Sequence, residues 1–300
     1  MEFFLDFLTN SCYIFLYYLL YVTSYMKLID GKAIAEKIEE GIKASGKTGG
    51  LAVILVGDNS ASQIYVKKKE EAAKRTGIKF YGILYPITNY QLLITNYAEL
   101  EEKIISKIKE LNSREDITGI IVQLPLPKGL DTNKIIAAID PKKDVDGYHP
   151  ENIKKFQNGK FSFYPPVLGA IISILESEKI SIENKTVALV SNSNFFPLPF
   201  IPYFKNKAKK FFDCSSADAC YNLQAADIVI TAVGQKHYLK SSMVKKDAII
   251  IDVGIVREGK KIYGDADLES LKERCAAATP VPGGVGPITV ARLLLNTIKI

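Results

Sequence analysis

At 300 residues, the chain is long enough for one large domain or two ordinary ones, and 47% hydrophobic with 24% charged residues is the balance of a globular protein. The net charge of +6 is mild and spread along the chain, with no Arg-rich arm and no interleaved aromatic-basic stripe, so a nucleic-acid partner is not indicated. Four scattered cysteines without a CxxC pair, and only two histidines, argue against a zinc site and read as reduced intracellular thiols.

Residues 1–26 form an apolar, aromatic extension, "FFLDFLTNSCYIFLYYLLYVTSY", ahead of "MKLIDGKAIAEKI". Glu2 and Asp6 precede the apolar run, where a signal peptide would carry positive charge. The stretch from Cys12 to Val22 is short for a membrane span, and counting from Phe3 to reach about 20 residues buries Asp6 and Asn10. We expect the functional chain to begin at Met26, with the extension an artefact of start assignment; an N-terminal membrane anchor is the alternative.

Short apolar runs then alternate with helical patterns. The predicted strands are "LAVILVG" (51–57), "FYGILYPI" (80–87), "GIIVQLP" (119–125), "TVALVS" (186–191), "DIVITAVG" (227–234) and "AIIIDVGI" (248–255). Several are apolar throughout, as strands covered on both faces are. Helical patterns lie at "GKAIAEKIEEGIKAS", "SASQIYVKKKEEAAKRTG", "YAELEEKIISKIKELN" and "VLGAIISILESEKI". This alternation predicts an α/β fold with parallel-sheet cores. Between 140 and 166 the pattern lapses into a polar, Gly/Pro-bearing stretch too long for a simple connection. It reads as a crossing between two lobes, with the ligand cleft between them. The local repeat "ITNYQLLITNY" (87–97) carries no functional reading.

Lys67, Lys68 and Lys69 look at first like a solvated charge run. At roughly 100° per residue, however, Ser62, Tyr65, Val66, Lys69, Ala72, Ala73 and Thr76 share about one third of the helix circumference. Lys67, Glu70, Glu71, Lys74 and Arg75 face away, and Lys68 lies at the border. A lysine on the small, apolar face is either desolvated, with a pKa lowered toward proton-transfer use, or snorkels to the edge. The Tyr65-x-x-x-Lys69 spacing also matches the catalytic pair of short-chain dehydrogenases, but the Gly-rich turn that family needs upstream is absent.

Further along, "VQLPLP" (122–127) ends a strand at polar Gln123, and "KKDVDGYHPEN" (142–152) sets Asp144 and Asp146 beside Gly147. "TPVPGGVGPITVARLL" (279–294) is a Pro/Gly-rich loop opening a helix. With "ASQIYVKKK", "GIIVQLPLPKGLD", "KDVDGYHPENI" and "IDVGI", these segments resemble the bifunctional methylenetetrahydrofolate dehydrogenase/methenyltetrahydrofolate cyclohydrolase family over about residues 27–300.

The resemblance implies NADP-dependent oxidation of methylenetetrahydrofolate and hydrolysis of the methenyl product to formyltetrahydrofolate, with NAD a possible cofactor and no metal. It implies a folate-binding catalytic domain over 27–165 plus 284–300, a Rossmann-like NAD(P)-binding domain over 166–283, a homodimer and a cytoplasmic location. By resemblance, Lys69 is the catalytic lysine, Tyr65 lies against the pterin-bearing ligand, Gln123 holds and tunes Lys69, and Asp146 binds the pterin's amino edge. Ser62, Pro282, Gly283, Gly284 and Val285 would border the folate. Ser191, Asn192, Ser193, Cys214, Ala232, Val233, Gly234 and Ile255 would meet the dinucleotide.

The cofactor half departs from the family pattern. Where the family has Gly-Arg-Ser-x-x-Val-Gly-x-Pro, this chain has "SNSNFFPLP" (191–199), so both glycines and the arginine are replaced. The family's His-Ser-Lys/Arg-Thr aligns with "DCSS" (213–216), adding Asp213, and "YPPVLG" (164–169) replaces Pro-Cys-Thr-Pro-x-Gly. "TAVG" (231–234) and "DVGI" (252–255) are kept. The alternatives are a cyclohydrolase that has lost dinucleotide binding, or a membrane-tethered folate-binding protein.

Overall fold

A computed structural model describes residues 26–87, 96–193, 195–214, 223–259 and 261–299. The N-terminal extension, most of the "ITNYQLLITNY" repeat, Cys12 and Cys220 lie outside the described residues.

The chain enters through a two-residue strand, β1 (Lys27–Leu28), and helix α1 (Gly31–Ala44), capped by the Asp30 carboxylate. Next come β2 (Gly50–Val56), α2 (Ser60–Thr76), β3 (Lys79–Tyr85), α3 (Tyr97–Ser113) and β4 (Gly119–Val122). These strands form a parallel sheet of order β3-β2-β4. Every residue of central β2 is buried, because helices cover both faces of a parallel sheet. The polar crossing holds α4 (Thr132–Ile136) and α5 (Pro150–Gln157), the latter an unforeseen helix with His149 as its cap and Pro150 in its first turn.

After α6 (Pro166–Ser177) the chain builds β5 (Thr186–Ser191), α7 (Phe200–Lys207), β6 (Lys210–Asp213), β7 (Ile228–Ala232) and β8 (Ile249–Asp252). An antiparallel hairpin, β9 (Val256–Glu258) with β10 (Lys261–Tyr263), is followed by α8 (Leu268–Leu271), β11 (Ala277–Ala278) and α9 (Val285–Lys299). The second sheet is wholly parallel, of order β1-β11-β8-β7-β5-β6. From β5 the chain moves outward to β6 and then returns to β7 on the other side of β5. This reversal opens a crevice at the carboxyl ends of the strands, where α/β sheets bind ligands.

Two features cut across the expected boundaries at 27 and 284. Lys27 and Leu28 pair with Ala277 and Ala278, so the N-terminal strand belongs to the second sheet rather than the first lobe. Helix α9 serves both cores. Its Val285, Ile288 and Ala291 pack with Leu168, Ile171 and Ile251, while Val290, Leu293 and Leu294 pack with Leu51, Val53 and Ala72. Among the described residues no helix is long and apolar enough to cross a membrane.

The start of α1 is pressed against the loop that leads into α9. A methyl group on Gly31 would lie 1.8 Å from the Gly284 carbonyl oxygen. Gly31→Ala should therefore lower stability by about 1–3 kcal/mol, the range for overpacking, read as a fall in denaturant midpoint at unchanged m-value. A midpoint equal to wild type would show that this packing yields without cost.

Candidate active site

Helix α2 starts just beyond the carboxyl end of β2. The Asn59 side chain caps it, accepting from the Ser62 amide at 3.0 Å, and Gly77 ends it in the left-handed region at φ 78°. The helix buries Ser62, Ala72, Ala73 and Thr76 and leaves Lys67, Lys68 and Lys74 exposed. Lys69 is half-buried, and its Nζ donates to the Gln123 Oε1 at 2.8 Å. Gln123 follows β4, the neighbour of β2. Its own amide donates to the Leu124 carbonyl at 2.8 Å, which turns the side-chain carbonyl toward the lysine. Lys68 instead lies over the Tyr65 ring, 5.8 Å from its centroid.

Asp146 faces this pair from the loop beside β4. Burial lowers the Lys69 pKa, and the Asp146 carboxylate partly restores it. Burial pushes Asp146 up to about 6; Lys69 opposes the rise and Asp144 adds to it. Each of the two groups is thus biased toward its neutral form by loss of water, and each favours the charged form of the other.

Asp144 holds the loop that carries Asp146. Buried to 1% exposure, its carboxylate accepts from the amides of Gly147 (3.0 Å), Tyr148 (3.3 Å) and His149 (2.8 Å), and from the Asn152 side chain (2.9 Å). Gly147 takes φ 84°, and a methyl group there would meet Phe156 and Pro165 at 3.0 Å. Asn296 of α9 donates to the carbonyls of Val145 and Tyr164, each at 3.0 Å, fixing the loop from its other side. Sequence reading noted Asp144 only as a neighbour of Asp146. Three of its four donors are turn-backbone amides, which leave no composition signal.

A cavity of about 820 Å³ opens between the lobes beside α2. Tyr65, Ile255 and Pro282–Val285 line it, with Lys32, Arg75 and Gly254. Lys69, Gln123 and Asp146 are not on its wall; α2 reaches the cavity through Tyr65, one turn before Lys69, and through Lys68, Glu71 and Arg75. Ser62 is 3% exposed and likewise off the wall. Arg75 makes a bidentate pair with Glu39 at 2.7 and 2.8 Å, which sequence reading placed only on the outward face.

On the dinucleotide side, the turn after β5 and the loop after β7 flank the crevice between those strands. Asn192 Nδ2 donates to the Val233 carbonyl at 2.8 Å, and Ser193 Oγ accepts from the Phe195 and Phe196 amides at 3.2 and 3.1 Å. Ser191 and Val233 are buried. Gly234 is exposed at φ 73°, with open space where a side chain would be, and Ala232 is half-buried. A group that needs close backbone approach fits at Gly234 and beside exposed Ile255. The phosphate side is poorer, since "SNSNFFPLP" offers no cation. Cys214 departs from expectation: its side chain is 3% exposed in the core with Val190 and Leu223, because its amide continues the β5–β6 ladder to the Leu189 carbonyl.

Comparison with known proteins adds to this geometry. Residues 29–146 match the model of the tetrahydrofolate dehydrogenase/cyclohydrolase catalytic domain, and residues 165–300 match that of the family's NAD(P)-binding domain. The chain is 39% identical over 284 residues to the bifunctional protein FolD of Nautilia profundicola, covering 91% of this chain and 96% of the relative. It is 41% identical over 285 residues to that of Aliarcobacter butzleri, with 91% and 96% covered. The crystal structure of the bifunctional enzyme from Campylobacter jejuni superposes with a TM-score of 0.82 at 37% identity, covering 91% of this chain and 98% of that one. The Trypanosoma brucei enzyme, solved with NADP cofactor and an inhibitor, gives 0.81 at 29% identity, with 92% and 97% covered. With both lobes matched, this chain belongs to the tetrahydrofolate dehydrogenase/cyclohydrolase family.

Proposed function

We propose that the chain oxidises methylenetetrahydrofolate to the methenyl form with NADP, NAD also being admitted, and hydrolyses the methenyl bridge to formyltetrahydrofolate. The observation that carries this reading is the Lys69–Gln123 hydrogen bond set against Asp146 at the carboxyl ends of β2 and β4. The family match to both domains supports the pairing of the two activities.

When bound, the nicotinamide ring supplies the hydride acceptor. The chain's own residues do the rest. Tyr65 gives the pterin-bearing ligand an aromatic surface on the cavity wall, and Asp146 accepts from the pterin's amino edge. Pro282–Val285 and Ile255 border the ligands and exclude water. In hydrolysis, a water oxygen bonds to the methenyl carbon as Lys69 Nζ takes one of its protons; the carbon–nitrogen bond then breaks as that proton passes to the departing nitrogen, and the remaining hydroxyl proton leaves to solvent as the formyl carbonyl forms. Because burial lowers the Lys69 pKa, its neutral amine is within reach, and the Gln123 carbonyl occupies one N–H so that the lone pair faces the water. Asn192, Ser193, Gly234 and the backbone around Ala232, Val233 and Cys214 serve the dinucleotide. A homodimer and a cytoplasmic location complete the proposal on the strength of family membership.

Removing the Lys69 amine should abolish the proton transfer but leave the folate contacts. For Lys69→Ala we expect methenyl hydrolysis, followed by absorbance, to fall by about 10²–10⁴-fold, while folate affinity by calorimetry changes little. Hydrolysis near the wild-type rate would remove Lys69 from its role.

Asp146 also has a stability signature. Its pKa rises from 3.8 to about 6 on folding, so the folded protein keeps a proton that the unfolded chain has released between those values. Stability from this group is full below about 3.8 and is lost as pH rises through about 6. Asp146→Asn, which cannot ionise, should gain on wild type as pH rises; further lowering of the Lys69 pKa acts in the same direction. The melting-temperature difference, variant minus wild type, should be more positive at about pH 7.5 than at about pH 4. A flat difference would mean that Asp146 is not desolvated.

Light scattering on the full chain should give about twice the 33.2 kDa monomer mass. A monomer at micromolar concentration would remove the dimer from the proposal.

A further inference from the structure

Asp265 is fully buried in the turn between β10 and α8, and the activity described above does not use it. Its Oδ2 accepts from the Thr231 hydroxyl at 2.9 Å and the Val233 amide at 2.6 Å, and its Oδ1 accepts from the Gln235 amide at 2.9 Å. These donors bracket Gly234, the exposed left-handed apex of the loop after β7. Among the described residues no cationic side chain forms a salt bridge with Asp265, and neutral dipoles of this one loop donate to its carboxylate. A carboxylate takes such a site only where its acceptors are matched by fixed donors.

The same turn grips the loop after β8. A methyl group on Gly254 would lie 2.1 Å from the Asp265 carboxyl carbon, so that loop rests directly on the carboxylate. The neighbouring Asp252 accepts from the Gly254 amide and the Ala266 amide, both at 2.8 Å. The altered turn after β5 is fastened to this assembly, since Asn192 donates to the carbonyl of Val233, whose amide Asp265 holds. Three loops at the crevice between β5 and β7 therefore have their relative placement set around one side chain.

We propose that Asp265 is the positioning residue that holds the dinucleotide-facing loops in one arrangement, and that dinucleotide binding depends on it while methenyl hydrolysis does not. The proposal rests on the dinucleotide reading given above. It also accounts for how a turn without its glycines and arginine stays placed, through Asn192 and the loop that Asp265 holds rather than through its own sequence.

The test uses the full chain. Asp265→Asn presents an NH2 group to donors that need acceptors. NADP and NAD would each be titrated by calorimetry, and methenyl hydrolysis would be followed without dinucleotide. We expect the Kd for the dinucleotide that wild type binds to rise at least 10-fold, with hydrolysis within twofold of wild type. Thr231→Val, which removes a single donor and keeps the shape, should raise that Kd about threefold, again with hydrolysis unchanged. Wild-type affinity in Asp265→Asn would overturn the proposal. So would parallel loss of hydrolysis and binding in both variants, since that marks a merely structural residue. No binding of either dinucleotide by wild type would overturn the underlying dinucleotide reading, and the proposal with it.

Discussion

Helix α9 is buried along two flanks at once, and each flank completes a different core. Val285, Ile288 and Ala291 close the core of the six-stranded sheet, and Val290, Leu293, Leu294 and Ile298 close that of the three-stranded sheet. Removing such side chains from water contributes about 1.5–3 kcal/mol each, whereas an exposed ion pair such as Lys103–Glu99 is screened by solvent and adds little. The two lobes are therefore held together by apolar burial rather than by surface charge. Helix α1 repeats the pattern, with Ile34 and Ala35 in one core and Ile42 in the other. The cavity lies where these two helices meet α2 and the Pro282–Val285 loop, so its walls are set by packing shared between lobes.

Upon that frame, the reactive cluster is placed by polar groups that work at a distance from it. Asn296, on α9, reaches Val145; Asp144 gathers the turn that follows; Asp146 is left facing Lys69. Each step trades exposure for defined geometry. Asp146 and Lys69 lose water and hold shifted pKa values, which weakens the fold at neutral pH and sharpens the chemistry.

Much of this was legible from residue order. Apolar runs such as 51–57 and 186–191 mark strands because a strand covered on both faces tolerates few polar residues. Helical periodicity separates Lys69 from Lys67 and Lys68 because burial follows the wheel. Most of what escaped reading depends on partners far along the chain. Strand β1 is two residues long and exists only through β11. Asp265 is an ordinary turn residue until Thr231, 34 positions away, donates to it. Cys214 and Ser62 sit on motif positions, yet strand pairing and helix packing turn their side chains inward. Helix α5 begins at a histidine cap, a residue that propensity does not favour there.

The pairing of β1 with β11 also bears on how the chain is made. Residue 27 leaves the ribosome early, but its partner at 277 emerges only when little more than the final helix is still to come. During most of synthesis the edge of β1 has nothing to join. A contact of such sequence separation forms late and slowly, and α9, which completes both cores, comes later still. Neither lobe can close as the first part of the chain appears, so a product truncated before 277 lacks the sheet edge and the shared helix together. Such a chain exposes apolar surface on both lobes and becomes a substrate for chaperones or proteases rather than a half-active enzyme.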